Sequence, residues 1–255
     1  MTIRRIGMIV PSSNTTMETE LPEMFRWRAA ETGETFTWHS ARAQMSHVTP
    51  EELDRMVKAS DVAARALADA PIEVIAYACL VAVMCRGAGA HCSVRDQLEA
   101  ALVDGPRQVP VISSAGALVD TLQALDAQRV ALVTPYMRPL AEQVSAYIEG
   151  EGFAVSELVA LEVSDNVKVG QLDPGNLIDI GKQVASSGAD VIVLSACVQM
   201  PSLPAVQAVE DAVGLPVITA ATATARAILL ALGLDPRVPN AGRALAGDLV
   251  ASVAG

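Results

Sequence analysis

The sequence predicts a doubly wound α/β protein built from two similar halves, and three observations carry that reading. Short apolar runs rich in Val and Ile alternate with amphipathic stretches. The 255 residues are 51% apolar but only 3% aromatic, so the core material is Ala, Val, Leu and Ile, which suits helices packed on buried parallel strands. Three segments recur in the same order in each half. A chain of this length fills one large domain or two small ones.

In chain order, strand candidates fall at residues 6–10, 36–40, 74–78, 109–112, 130–133, 154–160, 191–195 and 217–219. Helix candidates lie between most of them. One starts near residues 15–18, where Asn14 is placed to cap it. The segment 49–69 opens Thr49-Pro50-Glu51-Glu52: Thr49 caps, Pro50 suits the first turn and Glu52 completes a capping box. Residues 139–150 and 176–187 come next, the second stopped by Gly188, and 222–232 is the last candidate.

The repeat places the special residues. Arg5-Ile6-Gly7-Met8-Ile9-Val10-Pro11 matches Arg129-Val130-Ala131-Leu132-Val133-Thr134-Pro135. Val74-Ile75-Ala76-Tyr77-Ala78-Cys79 matches Val191-Ile192-Val193-Leu194-Ser195-Ala196-Cys197, and Val109-Pro110-Val111-Ile112 matches Leu215-Pro216-Val217-Ile218. The offsets of 124, 118 and 106 residues drift as connecting loops change length. The expected lobes are residues 1–117 and 118–221, with the segment from about 222 to 255 a candidate to pack back on the first. In open parallel sheets, ligands bind just beyond the carboxyl ends of strands. Cys79, Cys197, residues 11–14 and residues 135–136 all come directly after strand candidates. With the halves facing each other as pseudo-twofold mates, these four loops converge on one cleft holding two thiols.

Composition narrows the partners. Asp and Glu outnumber Lys and Arg by 29 to 18, for a net charge of −11. That sign argues against nucleic acid or an anionic membrane, but not against a small anionic substrate held by local donors. The start, Met1-Thr2-Ile3-Arg4-Arg5, runs straight into a strand candidate and lacks the pattern of a signal peptide. The longest unbroken apolar run, residues 74–85, falls well short of the ~20 needed to span a bilayer. A soluble, cytoplasmic protein with four free thiols is expected. No Cys-x-x-Cys pair or zinc-type ligand set occurs, and His39, His47 and His91 are scattered, so no metal is expected.

A cysteine in an apolar run is usually structural, and Cys85 and Cys92 keep that reading. Siting at matched strand ends makes Cys79 and Cys197 catalytic candidates. Asn14 reads evenly as helix cap or substrate ligand, and Ser12 and Thr15 read equally as donors or caps. His47 and His91 read as surface or packing residues; Val83, Met84 and Met200 read as pocket wall or core. Arg86 and Arg138 are the cations in these loops.

Paired strand-end cysteines on two similar lobes resemble the aspartate/glutamate racemase superfamily. Within it, Tyr77-Ala78-Cys79-Leu80-Val81-Ala82-Val83-Met84, Ser195-Ala196-Cys197-Val198-Gln199-Met200-Pro201 and Val10-Pro11-Ser12-Ser13-Asn14-Thr15 resemble the maleate cis-trans isomerases. The resemblance spans nearly the whole chain. Amino-acid racemases usually carry Cys-Asn-Thr where this chain has Cys79-Leu80-Val81, and arylmalonate decarboxylases keep only the second cysteine. The resemblance implies two Rossmann-like lobes with parallel sheets, a homodimer, and conversion of maleate to fumarate without a cofactor. It implies Cys79 as nucleophile and Cys197 as general acid/base. It further implies that Asn14, Tyr136 and Asn166 hold the two carboxylates, together with the backbone amides after each cysteine, at Leu80, Val81, Val198 and Gln199.

Thiol chemistry suits such a reaction. The double bond must become single for a moment, and a thiolate adds to an alkene carbon and later leaves. Neutral donors stabilise the charge that develops on the adjacent carboxylate, each worth ~3 kcal/mol. The strand-to-turn position of Cys79 is expected to lower its pKa below the ~8.5 of a free thiol. The competing readings are a two-thiol racemase of an amino-dicarboxylate, a malonate decarboxylase needing only Cys197, and a non-catalytic pair of binding lobes.

Overall fold

The computed structural model describes residues 2–247 and 249. Its first half runs β1 (Ile3–Pro11), α1 (Met17–Thr32), β2 (Thr35–Ala43), α2 (Pro50–Ala68), β3 (Val74–Tyr77), α3 (Leu80–Met84), α4 (Ala90–Ala100), β4 (Val111–Ser113) and α5 (Ser114–Ala124). The second runs β5 (Arg129–Thr134), α6 (Arg138–Gly150), β6 (Ala154–Ala160), α7 (Asn166–Val169), α8 (Asn176–Val184), β7 (Val191–Ser195), α9 (Leu203–Val213), β8 (Val217–Thr219) and α10 (Ala220–Ala231). Each half forms one four-stranded, all-parallel sheet, in the orders β2-β1-β3-β4 and β6-β5-β7-β8. β3 and β7 are buried along their whole length, as strands covered by helices on both faces must be.

The duplication reaches individual hydrogen bonds. Ala78 N donates to Ile9 O at 2.8 Å, and Ala196 N donates to Val133 O at 2.9 Å. Ile75 N donates to Pro110 O, and Ile192 N to Pro216 O, at 3.0 and 2.9 Å. Two register shifts in the second sheet break the match: one between Val130 and Ala131 in the β5–β6 pair, and one between Val193 and Ser195 in the β7–β8 pair, where β7 carries an extra residue. That extra residue bends β7 just before Cys197 and re-aims the chain beyond it.

In both sheets the chain leaves the central strand to one side, then returns to the other. The switch points therefore lie between β1 and β3 and between β5 and β7. The carboxyl ends of these four strands bound a natural crevice in each sheet. Residues 12–14 and Cys79 border the first, Tyr136 and Cys197 the second.

Strand boundaries differ from the sequence reading: β1 starts three residues earlier, β2 ends three residues later, and proline shortens β4. β4 begins at Val111, not at 109, because Pro110 has no N–H for the ladder and contributes only its carbonyl. Helix α3 lies inside the apolar run 74–85, where strand, turn and helix share one composition. Thr49 caps α2 as read, its Oγ1 accepting from Glu52 N with Pro50 in the first turn, but the expected capping box does not form: Glu52 Oε2 accepts from Ser46 N and His47 N instead. Helix α10 opens on a capping box between Thr219 and Thr222. It packs on α5, on α1 and on β3 and β4 of the first sheet, as well as on β8. Arg28 of α1 donates to the carbonyls of Asp235 and Arg237 at 2.6 and 2.8 Å, which ties the segment after α10 to the first half. Residues 248 and 250–255 of the segment expected to return there lie outside the described residues. Among the described residues, no helix is long and apolar enough to cross a membrane.

Helices α8 and α9 approach closely because Gly181 has no side chain: a Cβ there would stand 2.5 Å from Val209 Cγ1 and 2.9 Å from Cγ2. Gly181→Ala is expected to lower stability by about 1–3 kcal/mol through overpacking, read from the midpoint of urea unfolding.

Candidate active site

Cys79 stands in extended backbone at the N-cap of α3, and the residue is 1% exposed. The amides of Leu80, Val81 and Ala82 form the first turn of that helix, where N–H groups lack intrahelical partners. Cys197 is 4% exposed and opens a loop, not a helix. Pro201 is the reason, since it disfavours helical backbone at the residue before it. The loop folds back on its own thiol: Gln199 N donates to Cys197 Sγ at 3.3 Å.

The loop from Cys197 to α9 is held largely by the other half. Asn14 Nδ2 donates to Val198 O at 3.0 Å, and Thr16 Oγ1 to Gln199 O at 2.7 Å. Ser202 N and Leu203 N donate to Glu20 Oε1 at 2.5 and 2.7 Å. Ser195 Oγ, from the loop's own strand, donates to Cys197 O at 3.0 Å.

The residues singled out from the sequence divide between the cleft and its surroundings. Asn14 does cap α1, with Oδ1 accepting from Met17 N at 3.1 Å, while its Nδ2 reaches across the cleft. Tyr136 is buried with its hydroxyl beside Cys197. Asn166 is buried at the start of α7, and its Nδ2 donates to Ser13 Oγ at 2.7 Å. The Gln199 side chain turns away from the thiol, with Nε2 donating to Ser13 O and Asn166 O, both at 3.0 Å. Only its backbone amide faces the chemistry. Val198 gives its carbonyl to Asn14, and Leu80 and Val81 pack their side chains in the core. Arg86 pairs with Asp54, and the Arg138 guanidinium reaches Leu158 O, so both are occupied elsewhere. His47 is exposed, and His91 packs on Tyr147 with Nδ1 at 2.5 Å from its hydroxyl. Cys85 Sγ contacts Ala82 O at 3.7 Å, and all four cysteines are free.

The segment between β2 and α2 leans over the cleft. Ser13 Oγ donates to Met45 O at 2.8 Å, and Met45 N donates to Ser12 Oγ at 3.0 Å. Val48 joins Tyr136, Met137, Leu140, Val163 and Asn166 around a cavity of about 160 Å³.

The two thiols differ in their support. Burial pushes the Cys79 thiol up to about 12; the Ala82 amide opposes this, and charge on Cys197 adds to it. The expected lowering of its pKa is therefore wrong, because loss of water around the thiolate outweighs one amide. Burial also pushes Cys197 up, but the Tyr136 hydroxyl and the amides of Gln199 and Met200 all pull it down. Tyr136 is held well above the usual phenol range by burial and by Cys197 beside it, so it remains a donor. A single negative charge shared by the pair is thus better supported on Cys197. Among the described residues, no group of three His, Cys, Asp or Glu is placed to hold a metal ion.

Sequence reasoning missed Thr16, Ser13 and Glu20. Glu20 left a signal: it lies on the buried stripe Met17, Glu20, Leu21, Met24, Phe25, Arg28, where a carboxylate is out of place unless it is paired. It is 6% exposed, and burial pushes its pKa up to about 7 against the pull of the Leu203 and Ser202 amides.

Comparison with known proteins fits this geometry. A family model described as arylmalonate decarboxylase matches residues 6–245. A maleate isomerase of Geobacillus stearothermophilus is 53% identical over 95% of this chain and 97% of its own. The chain belongs to the family of maleate isomerases and arylmalonate decarboxylases. Two solved structures of maleate isomerases extend the likeness to three dimensions. A cysteine-to-alanine variant of the Pseudomonas putida S16 enzyme with maleate has a TM-score of 0.95 at 48% identity, covering 97% of this chain and 99% of that one. A cysteine mutant of the Nocardia farcinica maleate cis-trans isomerase carries a covalently bound succinylcysteine intermediate. It has a TM-score of 0.92 at 50% identity, covering 97% of this chain and 100% of that one.

Raised thiol pKa values predict a late titration. The thiolate ultraviolet absorbance that disappears in a Cys79→Ser/Cys197→Ser double variant should rise well above pH ~8.5. Completion of that rise by pH 8.5 would show that burial does not govern the pair.

Proposed function

We propose that this chain isomerises maleate to fumarate through a covalent Cys79 adduct, with Cys197 as general acid/base. The observation that carries the reading is the pair of buried thiols at matched strand ends, unequally supplied with donors, in a chain about half identical to maleate isomerases. The succinylcysteine intermediate of the Nocardia farcinica relative supports covalent chemistry at a cysteine.

The reactive form of the pair carries one proton and one negative charge, the other thiol proton having passed to solvent; burial makes this the minor form near neutral pH. The proton of Cys79 passes to Cys197, and the Cys79 thiolate adds to one alkene carbon. The S–C bond forms as the π pair moves to the adjacent carbon, whose carboxylate takes up part of the charge. The Cys197 thiol protonates that carbon, giving a succinyl thioether whose central bond is single and free to rotate. After rotation, the Cys197 thiolate takes a proton back, the double bond re-forms and the S–C bond breaks. The balance closes with no electron acceptor, so the reaction needs no cofactor. Donors around Cys197 do not weaken Cys79 as nucleophile; they make Cys197 a competent acceptor of its proton.

The dicarboxylate is held by neutral donors: Asn14, Tyr136, Asn166 and the amides of Leu80, Val81, Val198 and Gln199. Asn14 and Asn166 each keep a second Nδ2 proton beyond the bond that fixes them. In this reading the lobe of residues 1–117, with the segment from 222 packed on it, supplies the nucleophile. The lobe of residues 118–221 supplies the acid/base, and the enzyme works as a cytoplasmic homodimer. A decarboxylase would leave Cys79 idle, and a racemase would use both thiols alike, which the unequal donors argue against.

Maleate added to the protein in deuterated buffer should give fumarate by proton NMR, and no change over hours would reject the function. Cys79→Ala should lower kcat by about 10³-fold or more and show no adduct by intact mass. A maleate-sized adduct on that variant would overturn the assignment of the nucleophile. Sedimentation velocity should find the dimer, and a monomer with full activity would remove the homodimer from the reading.

A further inference from the structure

Helix α9 begins without a cap of its own: Ser202, at its N-cap, makes no side-chain capping bond, and Pro204 has no N–H to satisfy. The amides left over are those of Ser202 and Leu203, and both donate to Glu20 Oε1, which reaches them from α1 in the other half. Ser202 Oγ adds a longer contact to Glu20 Oε2 at 3.4 Å. A carboxylate buried to this degree is costly unless such donors meet it, so the bond is strong and its loss leaves unpaired groups on both sides.

The capped helix is the far anchor of the Cys197 loop. Between Cys197 and Leu203, the carbonyls of residues 197, 198 and 199 are held by Ser195, Asn14 and Thr16, and the amides of 202 and 203 by Glu20. The amides of Gln199 and Met200, which face the Cys197 thiolate, lie between these anchors. We infer that Glu20 is a positioning residue for Cys197: its carboxylate pins the end of the loop so that these two amides stay aimed at the sulfur. The inference rests on the isomerase reading, in which Cys197 must give up a proton and take one back. A loop free at its α9 end lets the amides drift and destabilises the Cys197 thiolate, so that at a given pH less of the pair carries the charge that accepts the proton of Cys79, and addition slows.

The test compares wild type with Glu20→Gln, which keeps the size and one acceptor oxygen but loses the charge. Wild-type turnover of maleate tests the isomerase reading by itself; the variant tests Glu20. The expected result is a fall in kcat of about 10–100-fold, the scale of a misplaced catalytic group, with KM little changed. The kcat–pH profile should shift to higher pH, because a thiolate that has lost amide donors forms later, a signature that a purely structural cap would not produce. Wild-type kcat, or a lowered kcat with an unshifted pH profile, overturns the inference. If Glu20→Gln does not fold, Glu20→Asp keeps the charge on a shorter arm. It should show the same alkaline shift, and its absence likewise overturns the inference.

Discussion

Three side chains of the first half, Asn14 and Thr16 before α1 and Glu20 on it, hold the backbone of residues 198–203 in the second. The site depends on this contact. A cleft between two lobes has no geometry of its own; it acquires one only when an element of one lobe is fixed to an element of the other. Here the fixed element is the loop that carries Cys197, and the fixing segment, residues 14–20, follows β1, beside β3, which leads to Cys79. Gln199 adds a latch in the opposite direction, from the second half to Ser13 O.

The duplicated scaffold explains why two thiols meet, and local departures from the duplication explain why they differ. Both cysteines come after the strand next to the central one, at the switch point of a sheet in the same order. Cys79 then starts a short helix, while Cys197 lies between a bulge and a proline-bounded loop. One thiol is left with little but burial acting on it; the other receives a phenol and two amides. A symmetric pair would exchange a proton with no preferred direction. The bulge and the loop supply the preference.

The fold was readable because strand spacing and order repeat, and eight strands stand where the apolar runs pointed. Boundaries failed where composition is blind: α3 is as apolar as β3 before it, and Pro110 shortened β4 by a rule about N–H groups, not hydropathy. In the site, Cys79, Cys197 and Tyr136 were legible as strand-end residues. The side chain of Gln199 was not, since only the folded chain shows that it turns toward Ser13 and away from the sulfur. The pKa of Cys79 was misread because siting suggests amides but says nothing about lost water. Glu20 was hidden in plain view, as a charge on the buried stripe of α1 whose partners lie some 180 residues away; Arg28 on the same stripe pairs with nearby Glu34 and also reaches carbonyls some 210 residues away.

The central claim is that Cys79 bonds to carbon while Cys197 moves the proton. Its most direct test is peptide-level mass mapping of the Cys197→Ser protein after incubation with maleate. The account predicts a succinyl adduct on the peptide that contains Cys79, at the Cys79 sulfur. An adduct on a different residue, or unimpaired turnover with Cys197 gone, would contradict it.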